Sequence, residues 1–307
     1  MAGSGLARSC LVTVERPGLL TTVQDAGRPG LAHLGVPRSG ALDPAAHRLA
    51  NRLVGNPETS PVLETTLDGV TLRFSGPAAV AVTGAVAPLR LDGRHVGWGV
   101  PVLVRPGQVL DLGRATSGVR CYLAVSGGFA PPGVLGSVAT DLLSGLGPPP
   151  LAAGQTLPVG AASGYPAPVD LAPYGIPSGE VELPIHRGPR DSWLTSAGRS
   201  TLTTAAFTVA TASNRIGLRL AGASVGQAAR GELPSEGLVW GAIQVLPDGG
   251  LVIFLADHPT TGGYPVIAVV DPAGFSACAQ AAPGTTVRFH TVHSDGRARD
   301  GPSRRGG

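Results

Sequence analysis

The chain has 307 residues, 43% of them hydrophobic, with 46 glycines, 29 prolines and a formal net charge of +3. That length allows one large domain or two ordinary ones, and the apolar share allows a sizeable core. All 23 basic residues are arginine, which excludes a lysine Schiff base, a P-loop lysine and a lysine carrying biotin on this chain.

Residues 1–9 read as a loose leader without the apolar centre of a signal peptide. Strand-like sequence begins at Cys10-Leu11-Val12-Thr13-Val14, and "TTVQDAGRPGLAHLGVPRSGALD" (21–43) reads as a long, glycine-rich functional loop. A helix follows. Asp43 suits its N-cap and Pro44 its first turn, Ala46, Leu49, Ala50, Leu53 and Val54 repeat at helical spacing, and Gly55 closes it. Short strands then run from Val70 to Val125, with turns at Asp92-Gly93 and Pro106-Gly107. Residues 126–180 form an irregular excursion, a covering loop or a connection between domains.

A second strand-rich section starts near Val181. It contains a hairpin turning at Pro247-Asp248-Gly249-Gly250, and a second Asp-Pro helix opening at Asp271-Pro272 with Phe275, Cys278 and Ala279 facing inward. "GTTVRFHTV" reads as the last strand. The pattern predicts a mostly β protein with few short helices: one β-rich subdomain over 10–180, a second over 181–291, and a disordered basic tail over 292–307. Strands do not alternate with helices, so closed or nearly closed barrels fit better than a doubly wound sheet.

The tail carries +2 of the net charge, leaving a nearly neutral body that offers no nucleic-acid footprint. No apolar run reaches a membrane span. Cys10, Cys121 and Cys278 are isolated, with no CxxC, which fits a reducing cytoplasm and predicts neither a disulfide framework nor a metal site.

"LADHPTTGGYP" (255–265) leaves an apolar run for groups that bind well. Gly262 and Gly263 permit close backbone approach and N–H donation, Thr260 and Thr261 add hydroxyls, Asp257 adds a charge, and Tyr264 adds a ring. The alternative is an ordinary capped turn. "TTVQDAGR" (21–28) has the same character, with Thr22, Gln24, Asp25 as base or orienter, and Arg28 as a bidentate anion clamp. Here the alternative is an Asp–Arg pair holding a loop. Ser39 and Gly40 precede a helix N-terminus, and His47 and Asn51 share a helix face. Glu236 and Gln244 complete the candidate set. The mechanistic expectation is that the two loops fold together into one anion-binding cleft. Gly222–Gly226 matches G-x-S-x-G, but no helix is predicted after it. His290 and His293 point to opposite faces of a strand.

"TTVQDAGRPGLAHLGVPRSGALDPAAHRLANRLVGN", "AVTGA" (81–85), "YLAVSGGF" (122–129), "LGSVATD" (135–141), "SNRIGLRLAG" (213–222), "ELPSEGLVWGAIQV" (232–245) and "ADHPTTGGYP" (256–265) occur in family order across roughly residues 11–290. With them the chain resembles the biotin-dependent carboxyltransferase family, also called allophanate hydrolase subunit 2, which includes the 5-oxoprolinase C subunit. The resemblance implies cyclophilin-like β-barrel domains. It also implies partners like the B and A subunits of 5-oxoprolinase, and ATP, with Mg accompanying it, used by the complex to open 5-oxo-L-proline to L-glutamate. The alternatives it implies are the carboxyltransferase part of a urea carboxylase, or a regulator like the antagonist of a sporulation-kinase inhibitor. Family members often carry Asp at Asn214, Arg-Gln at His258-Pro259 and Lys at Val266.

Overall fold

The computed structural model describes residues 10–168, 175, 179–228 and 231–292. The leader at 1–9, most of the basic tail and His293 lie outside these described residues. The first half holds two stacked sheets. One has six strands in the order Thr156–Pro158, Leu11–Arg16, Thr71–Phe74, Val109–Leu112, Leu89–Leu91, Arg94–His95. The other has five, in the order Thr21–Gln24, Val62–Thr66, Ser117–Val125, Ala78–Val86, Val102–Val104. Alternation places Val12, Val14, Leu72, Phe74, Leu110 and Leu112 opposite Val23, Leu63, Val80, Val82, Leu123 and Val125, all in one core.

The five-stranded sheet is buried on both faces. Tyr122, Ala124 and Ala81 point away from that core, toward helix α1 (Pro44–Leu53) and its Ala46, Ala50 and Leu53. This helix begins as its sequence signals require: the Asp43 carboxylate accepts from the Ala46 N–H at 3.0 Å and Pro44 occupies the first turn.

The second half is a closed seven-stranded barrel: Glu180–Arg187, Val266–Val270, Ala242–Val245, Leu251–Phe254, Gly217–Gly222, Phe207–Val209, Thr286–Thr291. Its interior packs Leu218, Leu220, Ile243, Val245, Leu251, Ile253 and Phe289. Closure comes from Glu180–Arg187 lying parallel to Thr286–Thr291, with Glu180 opposite Thr286 and Ile185 opposite Thr291. The chain is thus mostly β, with the closed barrel confined to the second half.

Helix α2 (Ser196–Thr204) has little sequence signal, because Ser, Thr and Gly are weak helix formers. The Thr195 hydroxyl caps it by accepting from the Gly198 N–H, and Leu202 is buried. Asp271 caps a 3-10 turn, Pro272–Gly274, that leads into α3 (Phe275–Gln280). Among the described residues no helix is long and apolar enough to cross a membrane.

The two halves meet across a polar seam. Gln280 of α3 accepts at Oε1 from the Val119 and Arg120 N–H groups. It donates from Nε2 to Asp43 and to the Arg120 carbonyl. Arg120 in turn donates to the Ala279 carbonyl at 2.6 Å.

Candidate functional site

Residues 25–41 leave the five-stranded sheet and return to their own base. The Arg28 N–H donates to the Arg38 carbonyl at 2.7 Å, and the Ala41 N–H to the Asp25 carbonyl at 3.0 Å. Gly40, at φ +93, makes this closure sterically open: a Cβ there would sit 2.8 Å from the Gly27 nitrogen. Ser39 beside it is held at φ +52, a left-handed conformation that costs a non-glycine residue about 1 kcal/mol or more. Two contacts from the second half hold it there. Its N–H donates to the Ala256 carbonyl at 3.1 Å, and its hydroxyl reaches Asp257 Oδ1 at 2.8 Å.

Asp257 is fully buried at the end of strand Leu251–Phe254. Its carboxylate accepts from Ser39, from the Leu142 N–H at 3.1 Å, and from Arg215 through Nε and Nη2, each at 2.9 Å. Arg215 also donates to Glu64 and, at 2.8 Å, to the Gly40 carbonyl. Glu64 takes the Leu42 N–H at 2.9 Å and lies 3.6 Å from Arg120. Burial opposes the charge on Arg215, but the carboxylates of Asp257 and Glu64 outweigh it and hold the guanidinium more firmly protonated than usual. With both oxygens occupied, Asp257 is arranged to orient Ser39 and Arg215.

The irregular 133–147 stretch covers this cluster. Asp25 accepts from Ser137 at 2.6 Å, from the Val138 N–H at 2.8 Å and from the Gly27 N–H at 2.8 Å, so it fastens the cover. Arg28 is buried and donates to the carbonyls of Val134 and Ala139. Thr22 accepts from Gln24, whose amide also donates to the Thr140 carbonyl. Gln24 Oε1, Arg28 Nη1 and Asp141 Oδ2 are buried with no hydrogen-bond partner among the described residues. Asn51 belongs to a separate helical network, donating to the Ser60 carbonyl and accepting from Asn56.

The far end of the second loop turns onto the barrel. Thr261–Gly262 pairs with Glu236–Gly237 in a two-stranded ribbon, and Glu236 is ion-paired with Arg190. The ribbon presses on Gln244, since a Cβ at Gly262 would lie 3.0 Å from its Nε2. Gln244 is buried and donates from Nε2 to the Tyr264 carbonyl at 2.8 Å. Thr261, Gly263 and Tyr264 are exposed, and Thr260 is half-buried. His258 is buried beside the edge of Phe254, and that burial lowers its pKa. Arg38 lies over Trp240, which stacks on Phe275 at 4.6 Å.

The two loops therefore meet at one end only, through Ser39, Ala256 and Asp257. Of four surface cavities formed by described residues, none is lined by both Arg28 and Gly262. The physical reason is that Arg28 turns inward to the cover while the Thr261–Gly262 ribbon leans on the barrel. Arg215, Glu64 and the 133–147 cover were not among the expected site residues. Arg215 stands in "SNRIG", within one of the stretches that carry the family resemblance, and its pairing with residues 64 and 257 carries no local signal.

The carboxyltransferase domain family, subdomain A and B, matches residues 34–291. The chain belongs to this family. It is 36% identical over 285 residues to the 5-oxoprolinase C subunit of Escherichia coli (strain K12), covering 91% of this chain and 90% of that one. The crystal structure of TTHA0988 aligns with a TM-score of 0.83 at 34% identity, over 92% of this chain and 56% of that one. The Kluyveromyces lactis urea amidolyase structure aligns with a TM-score of 0.86 at 30% identity, over 94% of this chain and 19% of that one. This chain thus spans little more than half of the first solved chain and about a fifth of the second.

Proposed function

We propose that this chain is the C-type member of a cytoplasmic, ATP-dependent 5-oxoprolinase, opening the lactam of 5-oxo-L-proline to L-glutamate together with A-type and B-type subunits. The observation that carries the reading is the likeness to the 5-oxoprolinase C subunit along 90% of that protein's length. Carboxyl transfer to urea is the second reading, favoured by the urea amidolyase likeness.

Both substrates are neutral amides, and activating either requires fixed charge and donors around the amide oxygen. The Ser39–Asp257–Arg215 cluster keeps the loop ends rigid, so Asp257 orients rather than takes a proton. Arg28 and Asp25 hold the cover, and Arg28 Nη1 is the donor that remains for an anion. Thr260, Thr261 and the Gly262-Gly263 backbone supply hydrogen bonds to the amide, beside Gln244 and Tyr264. Apart from Arg28 Nη1, the guanidinium groups of Arg28 and Arg215 are committed to carbonyls and carboxylates, Arg28 through Nε and Nη2 and Arg215 through Nε, Nη1 and Nη2. They form no triphosphate cradle, so no step of the ATP chemistry is assigned to these side chains.

The test is reconstitution with the A-type and B-type partners. ATP-dependent glutamate release from 5-oxo-L-proline is expected, and Thr261→Ala, at an exposed position, should assemble normally while losing turnover. An assembled complex that carboxylates urea from carboxybiotin and releases no glutamate would sink the reading.

A further inference from the structure

One row of side chains on the outer wall of the barrel lies outside the Ser39–Asp257–Arg215 cluster. Arg219, Val252 and Gln244 are direct cross-strand partners on three neighbouring strands, Gly217–Gly222, Leu251–Phe254 and Ala242–Val245. Their chain neighbours Leu218, Leu220, Ile253, Ile243 and Val245 fill the barrel interior. Alternation therefore turns all three outward, a cation, an apolar side chain and a carboxamide in line, spanning about 10 Å between the outer Cα atoms.

Over this row lies a hollow of about 270 Å³, walled by Phe254, Leu246, Tyr264 and Asn214. That is the liquid volume of roughly nine waters. Its walls include Arg219 and no carboxylate. A Cβ on Gly217 would come within 2.9 Å of Val252 Cγ1, so the floor is low because that residue has no side chain.

The polar groups at its rim are already oriented. Gln244 is buried, and its Nε2 is committed to the Tyr264 carbonyl, which leaves Oε1 as a free acceptor. The Asn214 Oδ1 accepts from the Ile216 and Gly217 N–H groups, which leaves its Nδ2 as a donor. The Arg219 guanidinium makes no ion pair among the described residues.

The geometry points to this hollow as the binding site of a small carboxylic acid that carries an amide N–H. Arg219 and Asn214 take the carboxylate, Gln244 Oε1 takes the N–H, and the hydrocarbon part rests on Val252 and Phe254. A lactam acid of the 5-oxoproline type meets all three requirements, a choice of probe that rests on the function proposed above.

The test is calorimetric titration of the purified full chain with 5-oxo-L-proline and with 2-pyrrolidinone, which lacks the carboxylate. Saturable binding of the acid is expected, weakened about tenfold or more in Arg219→Ala and Arg219→Gln. Pyrrolidinone should bind at least as weakly to the wild type. Arg219 is exposed, so both variants should keep the wild-type unfolding midpoint. No saturable binding, or equal affinity in the Arg219 variants, overturns the site. Intact binding in a complex without lactam turnover would leave this site standing and remove the proposed activity instead. Turnover without binding to this chain would do the reverse.

Discussion

Arg215 carries more of the structure than any other single side chain near the candidate site, because two buried carboxylates depend on it. Arg215→Ala leaves Glu64 and Asp257 in the interior with their principal cation gone, which should cost about 3–5 kcal/mol. Denaturant unfolding reads this directly, and a loss below about 1 kcal/mol would mean that water or Arg120 takes its place. His47 gives a second prediction. Burial lowers its pKa from the usual value of about 6.5, against the opposing effects of the Ser60 carbonyl and the charges of Asp25 and Glu64. The folded state then binds fewer protons than the unfolded chain, so stability is complete above the unfolded pKa. It falls as pH drops through about 6.5 and levels off below the folded pKa. Urea midpoints measured from pH 7.5 to 5.5 should decline, with a shallower slope in His47→Gln. Residues differ in how far the sequence reveals them. Asp257 and Ser39 stand out as polar residues at a strand end and a loop. Arg215 does not, because a guanidinium beside a strand is ordinary until its carboxylates arrive from 42 and 151 positions away.

Helix α1 illustrates the element scale. Its Asp-Pro start is a local signal, and so is its amphipathic face, which is why the sequence reveals both. What stays hidden is that Asp43 caps one helix while binding another, accepting from Ser276 at 2.7 Å and from Gln280 at 3.0 Å. A plain N-cap deletion costs about 1 kcal/mol. Asp43→Ala also strips buried donors of α3, so the loss should exceed about 2 kcal/mol in equilibrium unfolding. A loss confined to the cap value would show the α3 contacts to be energetically idle. The Asp92-Gly93 turn is equally readable: both residues take positive φ, +47 and +77, as a two-residue turn demands. Helix α2 is not, since Ser, Thr and Gly favour no helix, and the Thr195 cap and the docking of Leu202 stabilise it.

At the scale of the whole molecule, composition and strand spacing point to a mostly β chain in two sections. They do not reveal that the first is a pair of sheets and the second a closed barrel, because closure depends on Glu180–Arg187 finding a strand about a hundred residues later. The polar seam is equally non-local. Gln280, Arg120, Asp43 and the Glu64–Arg215 pair fix the halves by directional bonds, where an apolar contact would tolerate sliding. The parallel pairing that closes the barrel also has a mechanical consequence. The segment enters at Glu180 and leaves at Thr291, at opposite ends of two strands that run the same way. Tension between these points would load the whole ladder in shear, all its rungs sharing the force, instead of peeling them singly. The barrel is thereby latched by its own first and last strands against being drawn out from its ends.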